Sequence, residues 1–205
     1  MIEETDFETY LNVTKNKLQI FLFDKKKSKN LYKNELKIKN EFNFIDFNKL
    51  SRFLDDNIFK IEKLSGIFIK NIFLIIESDE IFYMDIGIKK KNYENKINQK
   101  YLENTLIELK DLFTENYQDQ NIMHIVINNC LINGKNYSSF IGNLNGDYLC
   151  LEINFKSIPN DLMFEFDKIL EKYQIKISQY LDGNYVKKFI NENDTQLSEV
   201  GHKLR

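Results

Sequence analysis

The chain has 205 residues, of which 42% are hydrophobic and 29% charged, with 7 glycines, 1 proline and no tryptophan. This composition is typical of a folded domain and excludes a disordered tail. The formal net charge of −2, from 29 basic and 31 acidic residues, provides no overall positive field for a phosphate backbone, so nucleic acid is not an expected partner.

The first part of the chain predicts three strands, a helix and a further strand. The strands are expected at Phe7–Val13, Leu18–Asp24 and Leu31–Ile38. Apolar residues at i, i+3, i+4 spacing then predict a helix with Asp46 as its N-cap and Gly66 as its stop. The stretch Phe68–Glu77 is apolar almost throughout its second half, which predicts a central strand covered on both faces.

The second part predicts a smaller module and then a return to the first sheet. In chain order we expect a strand at Ile81–Lys89, a helix near Asn98–Tyr117, a strand at Ile122–Leu131, a turn at Asn133–Gly134, an alternating strand at Tyr148–Lys156, a helix opened by Pro159, a strand at Gln174–Leu181, a short helix after Gly183 and a frayed polar end at Asn191–Arg205. This order predicts a mixed α/β sheet interrupted by an αβ module.

Two lysine runs stand out, Lys25–Lys27 with Lys29 and Lys89–Lys91. One interpretation is contact with anionic lipid or nucleic acid. We favour the other, solvated lysines at turns or strand ends that also protect sheet edges, because charged surface runs are common.

Neither a metal site nor a membrane-spanning helix is expected. Cys130 and Cys150 are too far apart for a CxxC pair, and only His124 and His202 could join them as ligands. The absence of a disulfide framework favours a reducing cytoplasm. The acidic start MIEETDFETY lacks a signal-peptide core, and no stretch approaches the roughly 18 apolar residues of a membrane helix. We therefore expect a cytoplasmic protein with at most indirect or peripheral membrane contact.

Three other features suggest chemistry, but each has a simpler structural explanation. Asp85-Ile86-Gly87 reads like a phosphate-loop tripeptide, yet lysines and a long polar link follow it, which favours a strand end. For His124 the sequence places no nucleophile or acid nearby, which favours a structural histidine. Asp55 and Asp56 are adjacent on the first helix and are expected on its solvated side.

Four segments, taken together, resemble the bacterial cell-division protein FtsA from Tyr10 to about Phe189. Ile122–Val126 followed by Cys130–Lys135 is similar to the family's ILHV…FIVDGQ segment, and Ile141-Gly142 with Asn145–Phe155 is similar to its IGMSGVRLEVEVHIV strand. Ser157–Leu181 resembles NLLKCVERAGLEVDDIVLEP of typical members, and Phe44–Glu77 resembles the helix and strand that lead into the family's inserted subdomain.

This resemblance implies an actin/ribonuclease H-like subdomain that is interrupted by an FtsA-type strand-helix-strand-strand insertion. Residues 1–80 and 158–192 would form a partial actin-like subdomain, 81–157 the insertion, and 193–205 a flexible tail. In the family the insertion contacts neighbouring subunits and later division proteins. The resemblance therefore implies self-association or binding of division proteins through residues of about 81–157, with recruitment to the inner face of the membrane at midcell.

An actin-type nucleotide site needs an acid near the end of the first strand and a glycine in the turn that follows. The matching stretch, Leu11–Lys17, contains neither. Asn12 cannot carry the negative charge that hydrated Mg²⁺ favours, and the Cβ of Thr14 obstructs the approach of a phosphate to the backbone. We therefore expect a degenerate phosphate loop at Asn12, Thr14 and Lys17, no bound cofactor or metal, and no enzymatic activity.

The resulting functional prediction is a non-catalytic FtsA-like scaffold or adaptor that acts through protein–protein contacts of the insertion. Two alternatives stay open. One is an actin-fold adaptor of pilus or envelope machinery, like the related pilus-assembly protein PilM. The other is a residual ATP-binding half-site that a partner completes.

Overall fold

The computed structural model describes residues 6–39, 44–93, 96–137 and 144–189. The chain divides into two compact units, unit 1 (Met1–Ile81 and Asp161–Arg205) and unit 2 (Phe82–Asn160). Of the predicted features, Ile141-Gly142 and the tail 193–205 lie outside the described residues.

The elements follow the predicted order closely. They are β1 (Phe7–Thr14), β2 (Lys17–Asp24), β3 (Lys29–Lys37), α1 (Phe47–Ser65), β4 (Asn71–Glu77), β5 (Phe82–Lys91), α2 (Gln99–Asn116), β6 (Gln120–Ile132), β7 (Lys135–Asn136), β8 (Tyr148–Pro159), α3 (Asn160–Glu171), β9 (Lys176–Asp182) and α4 (Gly183–Lys187).

Unit 1 is built on a five-stranded sheet with the order β3-β2-β1-β4-β9. The pair β1–β2 and the pair β2–β3 are antiparallel, whereas β4 is parallel to both β1 and β9. Only β2 therefore runs against the other strands. This mixed α/β arrangement is that of the predicted actin/ribonuclease H-like subdomain.

One face of this sheet is covered by α1, which begins and ends where the sequence predicts. The Asp46 carboxylate accepts the N–H of Lys49 at 3.0 Å, and Gly66 ends the helix with φ of 74°. The helix buries Leu50, Phe53, Leu54, Ile58 and Ile61. Tyr32 and Asn34 of β3 both donate to Oδ1 of the buried Asn57, at 2.7 Å each, which fixes the helix over the sheet edge.

The opposite face of the same sheet carries its own apolar cluster. It consists of Tyr10, Phe21, Phe23, Ile75, Leu181 and Val186, with Phe73 packed against it. Tyr10 stacks on Phe73 with ring centroids 5.1 Å apart. Because the inner strands are buried on both faces, their sequences are nearly continuous apolar runs instead of alternating ones.

Two sequence predictions require correction. The strand expected from Phe68 begins at Asn71, and Phe68 itself is 81% exposed. As predicted, β4 is an inner strand, between β1 and β9, and it is buried on both faces. Pro159 does not open a helix. It is the last residue of β8 and pairs with Gln120, and α3 begins at Asn160.

Asp55 lies on the exposed side of α1, as predicted, and it also makes a contact with a distant tyrosine. Its Oδ1 accepts the hydroxyl of Tyr173 at 2.6 Å, and the same hydroxyl contacts the carbonyl oxygen of Ser51 at 3.1 Å. Burial, and secondly the hydrogen bond to Asp55, raise the pKa of Tyr173 to about 12. The hydroxyl has one hydrogen to donate to these two acceptors, and its loss would place a phenolate against the Asp55 carboxylate.

We expect Tyr173→Phe to lower the free energy of unfolding by about 1 kcal/mol at neutral pH, because one hydrogen bond is lost. The contribution of Tyr173 is complete below the unfolded pKa near 10 and is lost as pH rises through the folded value of about 12. Urea denaturation at pH 7.5 and at alkaline pH measures both effects. The exposed Tyr148 is the control, and an equal loss in Tyr148→Phe would contradict this assignment.

Unit 2 is a four-stranded antiparallel sheet with the order β5-β8-β6-β7, covered on one face by α2. Phe113 of α2 stacks on Phe155 of β8 with centroids 4.9 Å apart, at the centre of the apolar core. The predicted turn is confirmed, since Asn133 and Gly134 have φ of 49° and 81°. Such paired positive angles are those of a tight two-residue hairpin.

Candidate functional site

A small pocket lies in unit 1 at the carboxyl ends of β1 and β4. Its volume is about 220 Å³, and it is lined by Thr14, Lys15, Asn16, Ile45, Glu77, Ser78, Asp79 and Asn184. The carboxyl ends of parallel strands are the usual ligand-binding edge of an open α/β sheet. The pocket therefore stands where a nucleotide site of this fold is expected.

The turn between β1 and β2 forms one wall of the pocket. Thr14 pairs with Lys17 in the hairpin register, and the Thr14 hydroxyl donates to the carbonyl oxygen of Lys17 at 3.2 Å. The N–H of Asn16 donates to the same hydroxyl at 3.3 Å. The Thr14 side chain thus occupies the inside of the turn, where a phosphate-binding loop needs open backbone.

Asn12, the second predicted site residue, does not reach the pocket. It is buried in β1, where its Nδ2 donates to Gln19 at 2.9 Å, and Gln19 in turn donates to Glu35 at 2.6 Å. These three side chains form a ladder across β1, β2 and β3 at matching register positions. Oδ1 of Asn12 is buried without a hydrogen-bond partner. Of the three predicted site residues, Asn12, Thr14 and Lys17, only Thr14 lines the pocket.

Glu77 also lines the pocket, at the end of β4 beside Thr14. Its Oε2 accepts from the ammonium of Lys187 at 2.6 Å, and its Oε1 is buried without a hydrogen-bond partner. Gly183 makes this position possible, because a Cβ at Gly183 would overlap Cγ of Glu77 and would lie 3.0 Å from its Oε1. The close approach of Glu77 to the start of α4 therefore depends on glycine.

The start of α4, which carries the lining residue Asn184, is capped by Asp182, whose side chain is fully buried. Its two oxygens accept the N–H groups of Asn184 at 3.1 Å and Tyr185 at 3.2 Å. At the rim, Lys15 lies 3.6 Å from Asp79, and both side chains are largely exposed. An exposed ion pair of this kind contributes little to stability.

These residues do not fit the triphosphate of a nucleotide with its Mg²⁺. The pocket is smaller than the roughly 300–1,000 Å³ of typical ligand sites, and its turn has a threonine side chain in place of glycine. The cations near it, Lys15 and Lys187, each lie against a carboxylate. With Glu77 and Asp79 in the lining, the wall offers carboxylates where phosphate oxygens would need donors.

Sequence reasoning missed Glu77, Asp79 and Asn184. The sequence contained part of the evidence for a site here, because Glu77 ends an apolar strand and Asp79 follows that strand. Their position beside Thr14 depends on β4 lying parallel to β1, with Thr14 opposite Glu77. Strand neighbours of this kind are separated by more than sixty positions in the chain, and apolar spacing alone does not reveal them.

Three further candidates, Asp85–Gly87, His124 and Cys130, lie in unit 2 and do not line the pocket of unit 1. Asp85-Ile86-Gly87 lies in the middle of β5, not at its end as predicted, and Asp85 accepts from Asn154 at 2.9 Å. His124 is half-buried in β6 opposite Lys156. Cys130 is buried, which raises the pKa of its thiol, and it lies opposite Leu151. Among the described residues, no group of three or more His, Cys, Asp or Glu side chains could hold a metal ion.

The face of the unit 2 sheet that α2 leaves uncovered carries aromatic and charged side chains. The ammonium of Lys156, whose side chain is buried, lies 4.5 Å from the ring centroid of Tyr83. The ammonium of the exposed Lys89 lies 4.6 Å from the ring centroid of Tyr148. Glu152 accepts from Asn129 on the same face. Tyr83 and Tyr148 are 41% and 39% exposed. Within the described part of unit 2, α2 is the one helix, so this face has no helix of its own unit over it.

No protein-family model matches the sequence, and no curated protein matches it. Among solved structures, a chain of the PilM–PilN type IV pilus biogenesis complex aligns over 87% of this chain with a TM-score of 0.50 and 5% identity. The match covers 48% of that chain, so the present chain spans about half its length. This likeness supports the actin-type fold of the chain.

Two further solved structures align at lower scores. The cytoplasmic domain of EpsL, an inner-membrane component of the type II secretion system of Vibrio cholerae, aligns over 91% of this chain and 61% of its own with a TM-score of 0.43 and 8% identity. A Bacteroides thetaiotaomicron protein with an actin-like ATPase fold and unknown function aligns over 92% and 58% with a TM-score of 0.37 and 13% identity. None of the three structures is FtsA.

Within the described residues, no helix is both long enough and apolar enough to cross a membrane.

Proposed function

We propose that the protein is a non-catalytic adaptor with an actin-type fold, which acts through protein–protein contacts of unit 2 in pilus or envelope machinery. The observation that carries this proposal is the uncovered face of the unit 2 sheet. Tyrosines with cations above their rings, surrounded by amide and carboxylate groups, are the chemistry of a protein-binding surface. Aromatic residues of this kind are common in the centres of protein interfaces.

The pocket of unit 1 supports the non-catalytic part of the proposal. Thr14 closes the turn with its own hydroxyl, and Glu77 holds Lys187. In an ATPase the turn would have to be open to phosphate, and the lysine and carboxylate would have to be available to phosphate and metal. In a scaffold Thr14, Glu77 and Lys187 need only hold the ends of the strands and α4 together.

The fold likeness favours pilus-type machinery over cell division as the setting. One solved chain of similar fold belongs to a PilM–PilN type IV pilus biogenesis complex. The FtsA-like division reading rests on short sequence segments alone. We therefore rank the cell-division function second, and a midcell location of the protein would support it.

A photo-crosslinking experiment tests the adaptor role. A photoreactive amino acid at position 83 or 152, on the uncovered face of unit 2, is expected to yield one specific protein adduct in cells, identified by mass spectrometry. The matched control is position 107, an exposed isoleucine of α2. Equal labelling from all three positions, or none from 83 and 152, would exclude this face as the interface.

Two further measurements separate the alternatives. A fluorescent fusion is expected along the cell envelope, whereas enrichment at midcell would restore the division reading. Titration calorimetry with Mg-ATP is expected to show no binding at ligand concentrations up to about 1 mM, because Lys15 and Lys187 beside the pocket each lie against a carboxylate instead of being open to a phosphate. Binding in the micromolar range would instead support the ATP half-site.

A further inference from the structure

The strand directions of unit 1 bring separate lysine-bearing segments to one end of its sheet. The amino ends of β1, β4 and β9 lie at this end, and so does the turn from β2 to β3, because β2 runs in the opposite direction. Two backbone contacts confirm the neighbours, from the N–H of Lys25 to the Asp6 carbonyl oxygen at 2.9 Å and from the N–H of Lys176 to the Lys70 carbonyl oxygen at 3.0 Å. The last turns of α1 and α3 also end here.

We call the exposed lysines at this end the basic end. They are Lys29, Lys60, Lys63, Lys70, Lys172 and Lys176. None of these six has an ion pair with another described residue. The lysines of the neighbouring turn differ, because Lys25, Lys26 and Lys27 lie 3.9, 2.8 and 3.6 Å from Glu8, Asp6 and Asp24. The turn is therefore largely neutralised, and the six other lysines carry the positive charge of this end.

The acids near the basic end offset only part of this charge. Glu62 lies between Lys60 and Lys63 in α1, but its Oε1 accepts the N–H of Ile69 at 3.1 Å and so turns toward the backbone. Glu171 ends α3 beside Lys172. The basic end keeps a local positive excess, although the whole chain carries a net charge of −2.

Large apolar side chains are exposed among these lysines. Phe59 and Phe68 are 71% and 81% exposed, and Leu64 and Ile67 are 53% and 41% exposed. All four lie in the last two turns of α1 or in the loop that leaves it. Single exposed apolar residues are ordinary, but a cluster of this kind marks a binding surface.

The loop after α1 holds its apolar side chains outward by ordered backbone contacts. Gly66 ends the helix in the left-handed region, and the Ser65 hydroxyl contacts both the N–H and the carbonyl oxygen of Ile67, at 3.4 and 3.2 Å. Ile69 is buried and anchors the loop. Phe68, between these fixed positions, is therefore presented to the outside by the fold.

We propose that the basic end of unit 1 docks onto an anionic phospholipid bilayer. Phe59, Phe68 and Ile67 enter the boundary between headgroups and acyl chains, while the lysines remain at the level of the lipid phosphates. Charge complementarity favours this occupant. The rings of Phe59 and Phe68 could also stack on bases, but the aliphatic Leu64 and Ile67 add apolar surface that acyl chains bury.

Vesicle flotation with the full chain tests this proposal. At about 0.1 M salt, binding to vesicles with about 30% phosphatidylglycerol is expected to exceed binding to pure phosphatidylcholine vesicles by at least about tenfold. Lys60→Glu with Lys63→Glu should weaken binding to the phosphatidylglycerol vesicles by at least about 25-fold, because each lost lysine charge costs roughly fivefold and each glutamate adds repulsion. Phe59→Ser with Phe68→Ser should weaken it by on the order of tenfold.

Matched controls lie elsewhere on the chain. Lys100→Glu with Lys110→Glu makes the same charge change on the exposed side of α2, and Phe164→Ser removes a phenylalanine of α3 that is 64% exposed. Both controls should bind like the original protein. The proposal would be overturned by equal binding to both vesicle types or by equal losses in the controls. It would also be overturned if the protein bound duplex DNA but no vesicles, and if Phe59→Ser with Phe68→Ser left the DNA binding unchanged.

Discussion

Replacement of Phe155 by alanine is expected to lower the free energy of unfolding of unit 2 by about 3–5 kcal/mol, the usual loss for a fully buried phenylalanine. Phe155 is 0% exposed, stacks on Phe113, and lies on the same sheet face as Leu149, Leu151 and Ile153. Its removal leaves a cavity between β8 and α2. Hydrogen exchange of the amides in β5, β6 and β8, together with urea denaturation, measures this loss.

The control for this prediction is Phe164→Ala. Phe164 is 64% exposed on α3, so its truncation should change stability by no more than about 0.5 kcal/mol. If Phe155→Ala were equally mild, the packing of α2 on the unit 2 sheet would be wrong. The uncovered face would then have to be reassigned, because it is defined as the side opposite α2.

The second large effect is expected from Gly183→Ala, which should lower the free energy of unfolding by about 1–3 kcal/mol through overpacking. The added methyl group would overlap Cγ of the half-buried Glu77. To relieve this overlap, Glu77 must leave its 2.6 Å contact with Lys187, or α4 must move. Urea denaturation of the single variant measures the cost.

A double-mutant cycle distinguishes this cause from an effect on the backbone. In the Glu77→Ala background Cγ is absent, so Gly183→Ala should cost close to nothing. Gly87→Ala serves as the matched control, because a Cβ at Gly87 meets no atom within 4 Å, and it should be neutral or slightly stabilising. An equal cost of Gly183→Ala in both backgrounds would exclude the contact with Glu77 as the reason.

Local signals predicted most element positions well. The N-cap Asp46, the left-handed Gly66 and the Asn133–Gly134 turn each depend on the conformational preference of one or two residues. Such preferences depend only on adjacent residues, so the positions of helix ends and tight turns can be predicted from the sequence. Pro159 was misplaced because proline suits both the first turn of a helix and a strand end, and only the pairing with Gln120 decides between them.

The candidate site was only partly accessible to sequence reasoning. The absence of an acid at Asn12 and of a glycine at Thr14 was visible in the sequence, and Thr14 does line the pocket. The burial of Asn12 in a ladder with Gln19 and Glu35 was not visible. Which way a strand residue points depends on register, and register is decided by the neighbouring strands.

The lysine run after β2 also shows that the sequence alone does not predict which distant segments lie together. By itself, Lys25–Lys27 with Lys29 suggested a solvated turn, and the three ion pairs of Lys25, Lys26 and Lys27 are consistent with that reading. The sequence could not show that Lys60, Lys70 and Lys176 gather at the same end of the sheet. Parallel strands joined by helices place such segments together, although more than a hundred residues separate them in the chain.

The sequence by itself determined the order of the elements, the mixed α/β class and the presence of Asn12 and Thr14 where a phosphate loop needs an acid and a glycine, because each depends on local composition and spacing. The tertiary structure alone decided the strand order β3-β2-β1-β4-β9, the meeting of Glu77 with Lys187 and Gly183, and the gathering of lysines and phenylalanines at one end of unit 1. These features arise from contacts between distant segments, whose geometry is set by packing and strand register.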